Sequence, residues 1–331
     1  MTPPPEGAQA PDPGRPVEVR GLCKRYDELV AVDHVDLSVE PGDVFGYLGP
    51  NGAGKTTSLR MMLGLIRPTA GSVRLFGRDP QVSVRALEGV AGFVEAPSFY
   101  PYLSGLVNLE LLASFDGGEA KARIGEALEV VNLTDRARDR VGAYSHGMRQ
   151  RLGIAAALLR EPRLMLLDEP ATGLDPAGMR DMRDLIRELS ARGMTVLLSS
   201  HLLGEVEELC NRVAIVRRGG VAYQGSLAEL KRQAGGGYLL RSTDDDVARR
   251  VAAAQAGISE LRAGVEGGLT FDAESDAAVG ALSLALTESG ALIIELSPRQ
   301  ASLEDLFFKL TEGDTAPASG RHQAQLAERA A

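Results

Sequence analysis

The stretch Gly49-Pro50-Asn51-Gly52-Ala53-Gly54-Lys55-Thr56-Thr57 decides the fold of this 331-residue chain. It has the form G-x-x-x-x-G-K-[ST], the phosphate-binding loop of nucleotide-hydrolysing proteins. Its glycines let successive backbone N–H groups converge on a phosphate, and the helix that follows presents its N-terminal donors to the same point. Lys55 supplies a positive charge for the outer phosphates, and the Thr56 hydroxyl is placed to ligate magnesium. The sequence therefore predicts a nucleotide site.

The segments on both sides of this loop agree with that prediction. The apolar run Val44-Phe45-Gly46-Tyr47-Leu48 predicts a buried strand that leads into the loop, and residues 57–65 predict the helix that leaves it. A glycine-rich turn without a ligand would also fit the loop alone. The strand and the helix around it favour the nucleotide site.

The composition limits the partners and the compartment. Lys and Arg total 36 against 45 Asp and Glu, and this net charge of −9 argues against nucleic acid as a partner. Cys23 and Cys210 fit no disulfide or C-x-x-C pattern, so we expect reduced thiols. The N-terminal residues resemble neither a signal peptide nor an anchor, and no stretch approaches eighteen consecutive apolar residues. Any membrane role would then depend on a partner.

The order of the predicted strands and helices indicates an α/β nucleotide-binding domain followed by a small α+β domain. In the second part the order is strand, helix, strand, strand, helix, strand, which is that of a ferredoxin-like unit, and Gly235-Gly236-Gly237 predicts a linker before it. The predicted organisation is a disordered tail at 1–16, a nucleotide-binding domain at 17–234 with a helical insertion at about 98–160, an accessory domain at 238–311 and a disordered tail at 312–331.

Two acids follow a second buried strand. Leu164-Met165-Leu166-Leu167 leads directly into Asp168-Glu169, and in open α/β sheets ligands bind at the carboxyl ends of the strands. One acid can hold the magnesium shell while the next orients and deprotonates a water. His201 follows a neighbouring strand, Thr195 to Ser199, and could hydrogen-bond a γ-phosphate. Two acids that cap a turn and a plain loop histidine are the alternatives.

A further phosphate-facing element is indicated by Tyr144-Ser145-His146-Gly147-Met148-Arg149-Gln150-Arg151, which ends 17 residues before Asp168. A serine and a glycine open a helix here, which is an anion-binding geometry. Taken alone, the segment is more simply explained as an ordinary helix cap.

Together these segments resemble the ATP-binding subunit of an ABC transporter over about residues 17–234. The motifs that carry the resemblance are the Walker A loop at Gly49–Thr57, the signature around Ser145–Met148, the Walker B strand at Leu164–Glu169, the D-loop Gly173-Leu174-Asp175 and the switch histidine His201. The resemblance implies a P-loop NTPase fold of the ABC ATPase type: a RecA-like core with an antiparallel β subdomain and a helical insertion. It also implies a head-to-tail dimer in which each signature closes on the ATP held by the other Walker A.

The resemblance assigns roles for ATP and Mg²⁺ residue by residue. Tyr26 would stack on adenine, and Gly49 through Thr57 would hold the phosphates, with Lys55 also counted as catalytic. Thr56 and Asp168 would serve magnesium. Across the dimer, Ser145 and Gly147 would contact the nucleotide.

The catalytic roles follow from the same resemblance. Glu169 would be the general base and His201 the γ-phosphate sensor.

Two motifs depart from the usual family pattern. The signature is Tyr-Ser-His-Gly-Met instead of Leu-Ser-Gly-Gly-Gln, and the Q-loop glutamine is replaced by Glu95. A glutamate keeps an oxygen acceptor for the nucleotide's magnesium or a water but loses the amide donor. Both variants, with the ending Ser302-Leu303-Glu304-Asp305-Leu306-Phe307, resemble drug- and bacitracin-type exporter ATPases.

The resulting expectation is the ATPase of an exporter. It would form a homodimer on the cytoplasmic face of the membrane, with hydrolysis driving a separate transmembrane permease that docks near residues 95–108. A single Walker A argues against a two-cassette translation factor, the lack of heptads and paired CxxC motifs against a DNA-repair ATPase, and the lack of an Asn/Thr-Lys-x-Asp motif against a GTPase. An ATP-dependent sensor or regulatory ABC protein with slow turnover is the remaining alternative.

Overall fold

The computed structural model describes residues 14–116, 118–233, 236–264, 267–300, 303–304 and 306–307. Two compact units divide the chain between Leu227 and Ala228. The tails expected at 1–16 and 312–331 lie outside the described residues except for 14–16. At that point the carbonyl of Arg15 accepts a hydrogen bond of 3.1 Å from the backbone N–H of Phe76.

The first unit alternates strands and helices. Its elements are β1 (Val17–Tyr26), β2 (Leu29–Val39), β3 (Val44–Leu48), α1 (Lys55–Met62), β4 (Ala70–Arg74), β5 (Val90–Phe93), α2 (Gly105–Asp116), α3 (Gly118–Ala122), α4 (Ile124–Val130), α5 (His146–Leu158), β6 (Leu164–Asp168), α6 (Pro176–Ala191), β7 (Thr195–Ser200), α7 (Leu203–Leu209), β8 (Arg212–Arg217) and β9 (Gly220–Ser226). Short 3-10 turns lie at Val84–Leu87, Thr134–Arg136 and Val141–Ala143.

The central sheet has the order β5-β6-β7-β3-β8-β9 and is parallel except for β9. All residues of β3, β6 and β7 are buried, which explains their nearly unbroken apolar runs. Leu48 pairs with Ser200, and Asp168 pairs with Ser199. The carboxyl ends of β3, β6 and β7 therefore meet at one edge of the sheet.

A second sheet, of order β2-β1-β4, is antiparallel. Its apolar side chains form one buried cluster with residues of β3, β6 and α1, among them Val35, Phe45, Leu59 and Leu166. The strand β2 thereby packs close to the loop between β3 and α1.

The segment between β5 and β6 contains the helices α2 to α5. Ser145 caps α5 by accepting a hydrogen bond from the N–H of Met148, and Asp175 caps α6 by accepting one from the N–H of Gly178. Pro176 occupies the first turn of α6, where its missing N–H costs nothing. The two helix starts are fixed by the residue types that the sequence supplies there.

The helix α8 (Leu227–Gln233) begins at the last residue of the first unit, and the second unit then contains β10 (Gly236–Ser242), α9 (Asp245–Ala254), β11 (Ile258–Ala263), β12 (Leu269–Ala273), α10 (Asp276–Glu288) and β13 (Ile293–Gln300). Its antiparallel sheet has the order β11-β12-β10-β13, and the β-α-β-β-α-β sequence of elements is that of the ferredoxin-like motif. Phe271, Leu282 and Leu286 belong to its separate core. Of the ending at 302–307, residues 303–304 and 306–307 are described, and these are helical.

Membrane-spanning elements are absent from the part of the chain that the structure describes. None of the helices in these residues has the length and apolar character that a bilayer crossing requires.

Leu166 offers a direct test of the core that supports the carboxyl edge of the sheet. It is fully buried in β6, two residues before Asp168. We expect Leu166→Ala to lower the free energy of unfolding by about 2–5 kcal/mol, because it leaves a cavity between the two sheets. Val82→Ala is the matched surface control, since Val82 is 83% exposed, and should stay within about 0.5 kcal/mol of wild type. Circular dichroism during urea denaturation measures both; equal effects would contradict the assigned core.

Candidate functional site

The loop between β3 and α1 is shaped by its glycines. Gly54 has φ 97°, and a Cβ there would lie 2.3 Å from the carbonyl oxygen of Ala31 in β2. Gly52 also has a positive φ, of 81°. A side chain at Gly54 would therefore meet both backbone strain and a collision with the backbone of the antiparallel sheet.

Lys55 begins α1 and lies over the loop. The side chain is only 6% exposed, and Nζ donates a hydrogen bond of 2.7 Å to the carbonyl of Gly49. Nζ also lies 3.3 Å from Oε1 of Glu169. A buried ammonium needs such partners, and this one lies between the phosphate loop and the end of β6.

Asp168 and Glu169 are both fixed by Ser199 of β7. The buried Ser199 hydroxyl donates to Oδ1 of Asp168 and accepts a hydrogen bond of 3.0 Å from the backbone N–H of Glu169. Asp168 itself is buried, while Glu169 leaves the strand with φ 51°. The adjacent acids are thus separated into a buried one and one that reaches the cleft.

The carboxylate of Glu169 has three side-chain neighbours. Its Oε2 accepts a hydrogen bond of 2.9 Å from Thr172 Oγ1 and lies 2.7 Å from Nδ1 of His201, and its Oε1 faces Lys55. Burial raises the pKa of Glu169, but the Thr172 hydrogen bond and the charges of Lys55 and His201 outweigh it, so the net pKa lies below the ordinary glutamate value. Glu169 is therefore ionised at neutral pH.

Glu169 and its neighbours Lys55, Thr172 and His201 line one cleft of about 500 Å³. Its lining residues are Tyr26, Leu29, Val30, Ala31, Asn51, Gly52, Gly54, Lys55, Thr56, Thr57, Glu169, Thr172 and His201. The predicted Gly49, Pro50, Ala53 and Asp168 belong to the same loop and strand end but are not among the lining residues. Leu29, Val30, Ala31 and Thr172 were not expected from the sequence.

The rim of the cleft next to β2 is apolar. Tyr26 is partly exposed, with Lys24 Nζ 4.9 Å from its ring centroid, and the neighbouring Leu29 and Val30 are exposed as well. Exposed apolar side chains beside a polar cleft are suited to the face of a planar ring. The sequence signal for this rim was the pair Leu29-Val30 directly after the turn that follows Tyr26.

Ser145 and Gly147 lie elsewhere, in a second cavity of about 380 Å³. This cavity is lined by the start of α5, the turn at 173–175 and the start of α6: Ser145, His146, Gly147, Arg151, Gly173, Leu174, Asp175, Ala177, Gly178, Asp181 and Met182. The Ser145 hydroxyl accepts a hydrogen bond of 3.2 Å from the N–H of Met148. Within one chain, the predicted site residues therefore form two separate groups.

Glu95 is not among the residues that line the cleft around Lys55. It follows β5 in a left-handed conformation, with φ 68°, and its carboxylate forms an ion pair with Arg60 of α1. The predicted magnesium role of Glu95 stays a prediction. The oxygen donors Thr56 and Asp168, near Lys55, are of the type that Mg²⁺ prefers.

The comparisons with known proteins agree with this geometry. The family model described as ABC transporter matches residues 32–172. The bacitracin transport ATP-binding protein BcrA of Enterococcus faecalis is 36% identical over 299 residues, which cover 90% of this chain and 96% of that protein. The daunorubicin/doxorubicin resistance ATP-binding protein DrrA of Streptomyces peucetius is 35% identical over 96% of this chain and 97% of its own length.

Solved structures are similar over about two thirds of this chain. An ATP-binding subunit of an ABC transporter is 30% identical with a TM-score of 0.59, and covers 66% of this chain and 92% of its own. The ATP-binding cassette MJ0796, in a dimeric post-hydrolysis state bound to ADP and Pi, is 25% identical with a TM-score of 0.57, and covers 64% and 98%. These likenesses confirm the predicted α/β fold of the P-loop NTPase type.

The lowered pKa of Glu169 predicts how the stability of the fold depends on pH. Because its pKa is lower in the folded protein than in the unfolded chain, the ionised group stabilises the fold above the unfolded pKa, and this contribution is lost as the pH falls through the folded pKa. Wild type should therefore lose thermal stability relative to Glu169→Gln as the pH is lowered from 7 to below about 4.5. Melting curves followed by circular dichroism at several pH values measure the difference, and a gap that stays constant would contradict the assignment.

Proposed function

The chain belongs to the ABC transporter family of ATP-binding proteins, and we propose that it is the ATPase of an exporter, in which its homodimer drives a separate membrane permease. ATP binding and hydrolysis are properties of the family. The finer proposal rests mainly on one observation: Lys55 and Glu169 line one cavity of the chain, whereas Ser145 and Gly147 line another.

Two copies packed head to tail would complete both sites. The start of α5 in one copy, with the N–H groups of its first turn and the Ser145 hydroxyl, would close on the phosphates held by the Lys55 loop of the other. ATP would favour the dimer, because only in the dimer are the phosphates contacted from both sides. ATP binding would thus bring the copies together, and hydrolysis would release them.

Glu169 is suited to the role of general base. It is ionised, it reaches the cleft, and Thr172 and His201 hold its Oε2 in place. We propose that it orients and deprotonates the attacking water, while His201 senses the γ-phosphate. Lys55 would exchange its contact with Gly49 for the outer phosphates when the nucleotide binds.

Magnesium and the adenine have separate candidate ligands: Thr56 and Tyr26 line the cleft, whereas Asp168 and Glu95 lie outside its lining. Thr56 and Asp168 would hold Mg²⁺, with Glu95 as a further oxygen donor, and the ion would neutralise charge on the phosphates. The ring of Tyr26 would stack on adenine at the apolar rim formed with Leu29 and Val30.

The permease would dock on an apolar groove next to the nucleotide core. This groove, of about 440 Å³, is lined by Leu63, Leu65, Leu87, Val90, Ala91, Gly92, Phe93, Val94, Pro97, Ser98, Phe99, Leu112, Phe115, Asp116, Gly153, Ala156, Ala157 and Arg160. Leu65 and Phe115 are 64% and 80% exposed, which is costly for large apolar groups unless a partner covers them. The groove includes part of the predicted docking segment at 95–108 and would hold the chain at the cytoplasmic face of the membrane.

The class of substrate is proposed from the relatives. Proteins named for bacitracin transport and for daunorubicin and doxorubicin resistance match nearly the full length of this chain at 35–36% identity. We therefore propose a drug-like, antibiotic or lipid-like compound as the exported substrate.

Hydrolysis by Glu169→Gln tests the mechanism. A base contributes roughly 10²–10⁴-fold, so we expect the ATPase rate to fall at least a hundredfold while ATP binding persists, and we expect the variant to accumulate as a dimer with ATP and Mg²⁺. Glu188→Gln, on the exposed face of α6, is the matched control and should hydrolyse like wild type. Steady-state phosphate release and size-exclusion chromatography measure both. Equal hydrolysis by all three proteins, or a monomeric Gln variant at saturating ATP, would sink the proposal; slow turnover by wild type itself would favour a sensor.

The docking groove predicts a different phenotype. Phe115→Asp places a charge in the apolar groove and should abolish co-purification of a polytopic membrane protein from detergent-solubilised membranes, with ATP hydrolysis by the isolated subunit unchanged within about twofold. Val82→Asp, at an equally exposed position outside the groove, should co-purify as wild type does. Retention of the membrane protein by Phe115→Asp would contradict the assigned surface.

A further inference from the structure

His146, the first residue of α5, contacts the turn that carries Glu169 in the same chain. Its Nε2 lies 3.1 Å from the backbone carbonyl oxygen of Thr172. A carbonyl oxygen only accepts hydrogen bonds, so the contact requires a proton on Nε2. The motif that this segment resembles has a glycine at this position, and a glycine has no side chain with which to make the contact.

Thr172 is bonded in turn to Glu169. The side-chain hydroxyl of Thr172 donates to Oε2 of Glu169 at 2.9 Å, and its backbone N–H donates to the carbonyl of Glu169 at 3.1 Å. One residue thus joins the imidazole of His146 to the carboxylate of the proposed base. The positions of the two side chains are coupled through a turn with two internal hydrogen bonds.

Gln150 adds a second contact to the same imidazole nitrogen. It is 4% exposed, and its Nε2 lies 3.5 Å from Nε2 of His146. Two N–H donors do not bond each other, whereas the opposite amide orientation presents Oε1, which otherwise has no partner among the described residues. With that orientation, Thr172 and Gln150 both accept from the His146 N–H side.

Gly173 lies beside the ring. A Cβ at this position would make ordinary van der Waals contact, at 3.6 Å, with Cδ2 and Nε2 of His146, so the space itself does not require a glycine. The left-handed backbone, with φ 76°, is what favours a glycine here.

We propose that His146 is a positioning residue for Glu169 of its own chain, acting through Thr172. The proposal rests on the proposed function, because it is the start of α5 that closes on the nucleotide held by a second copy. When α5 of one copy closes on the nucleotide held by the partner, its shift would move Glu169 of the same copy through Thr172. This Glu169 acts on the nucleotide that its own copy holds, so the position of each base would depend on whether the partner's site is occupied.

Mixed dimers separate this role from a direct contact with the partner's nucleotide. Two differently tagged copies are combined, one carrying Glu169→Gln, so that a single base works in each purified mixed dimer. His146→Ala is then introduced either beside the intact Glu169 or into the Glu169→Gln copy. We expect kcat to fall about five- to tenfold in the first arrangement, the effect of one lost hydrogen bond, with KM for ATP little changed, and the loss to be at least threefold smaller in the second. The reverse pattern, equal losses or no loss would each overturn the proposal.

His146→Gln supplies the conservative variant. Its amide keeps a donor near the Thr172 carbonyl, so it should recover at least half of the lost kcat when placed beside the intact base; a variant no better than Ala would contradict positioning by this hydrogen bond. If the mixed dimer in which His146 is unaltered in both copies hydrolyses no ATP, that result would count against the proposed function and not against the role of His146.

The nucleotide-free protein gives a test that does not depend on hydrolysis. The chain has four histidines, His34, His146, His201 and His322, which long-range ¹H–¹⁵N spectra of the imidazoles can resolve and single variants can assign. His146 should carry a proton on Nε2. A neutral His146 with its proton on Nδ1 would overturn the proposed link.

Discussion

One buried hydroxyl, that of Ser199, fixes both acids at the end of β6. It donates to Asp168 and accepts from the N–H of Glu169, so the two adjacent residues are tied to the neighbouring strand at a single point. Successive residues of a strand point to opposite faces. The left-handed backbone of Glu169 ends that alternation, and the chain turns there with Asp168 buried and Glu169 directed to the cleft. The remaining groups of the site are arranged around this point.

The phosphate loop, the paired acids and His201 could be placed from the sequence because they follow buried parallel strands. The carboxyl ends of β3, β6 and β7 share an edge, whatever the order of these strands. Ser199 and Thr172 could not be given roles in the same way. Ser199 stands at the end of the apolar run Val196-Leu197-Leu198, and this position does not reveal its partner. The contact of Thr172 with Glu169 depends on the path of the turn.

The apolar rim and the edge strand also escaped the sequence analysis. Leu29 and Val30 contribute to the cleft only because β2 folds over the phosphate loop, and that packing depends on the antiparallel sheet as a whole. The strand β5 was not anticipated, since it is only four residues long and contains Gly92. A Cβ at Gly92 would lie 1.8 Å from the carbonyl oxygen of Leu166, so the glycine that obscured the strand is the residue that permits its pairing.

The turn from Glu169 to Asp175 is held at both of its ends. At one end Ser199 ties it to β7, and at the other the Asp175 carboxylate caps α6 with a bond of 2.9 Å to the N–H of Gly178. Between these anchors, His146 contacts the carbonyl of Thr172. A displacement of α5 relative to α6 would act first on this contact, and the nearest side-chain bond within the turn is that between Thr172 and Glu169. The carboxylate of Glu169 is thus the side-chain group nearest, along these hydrogen bonds, to the helix start that borders the second cavity.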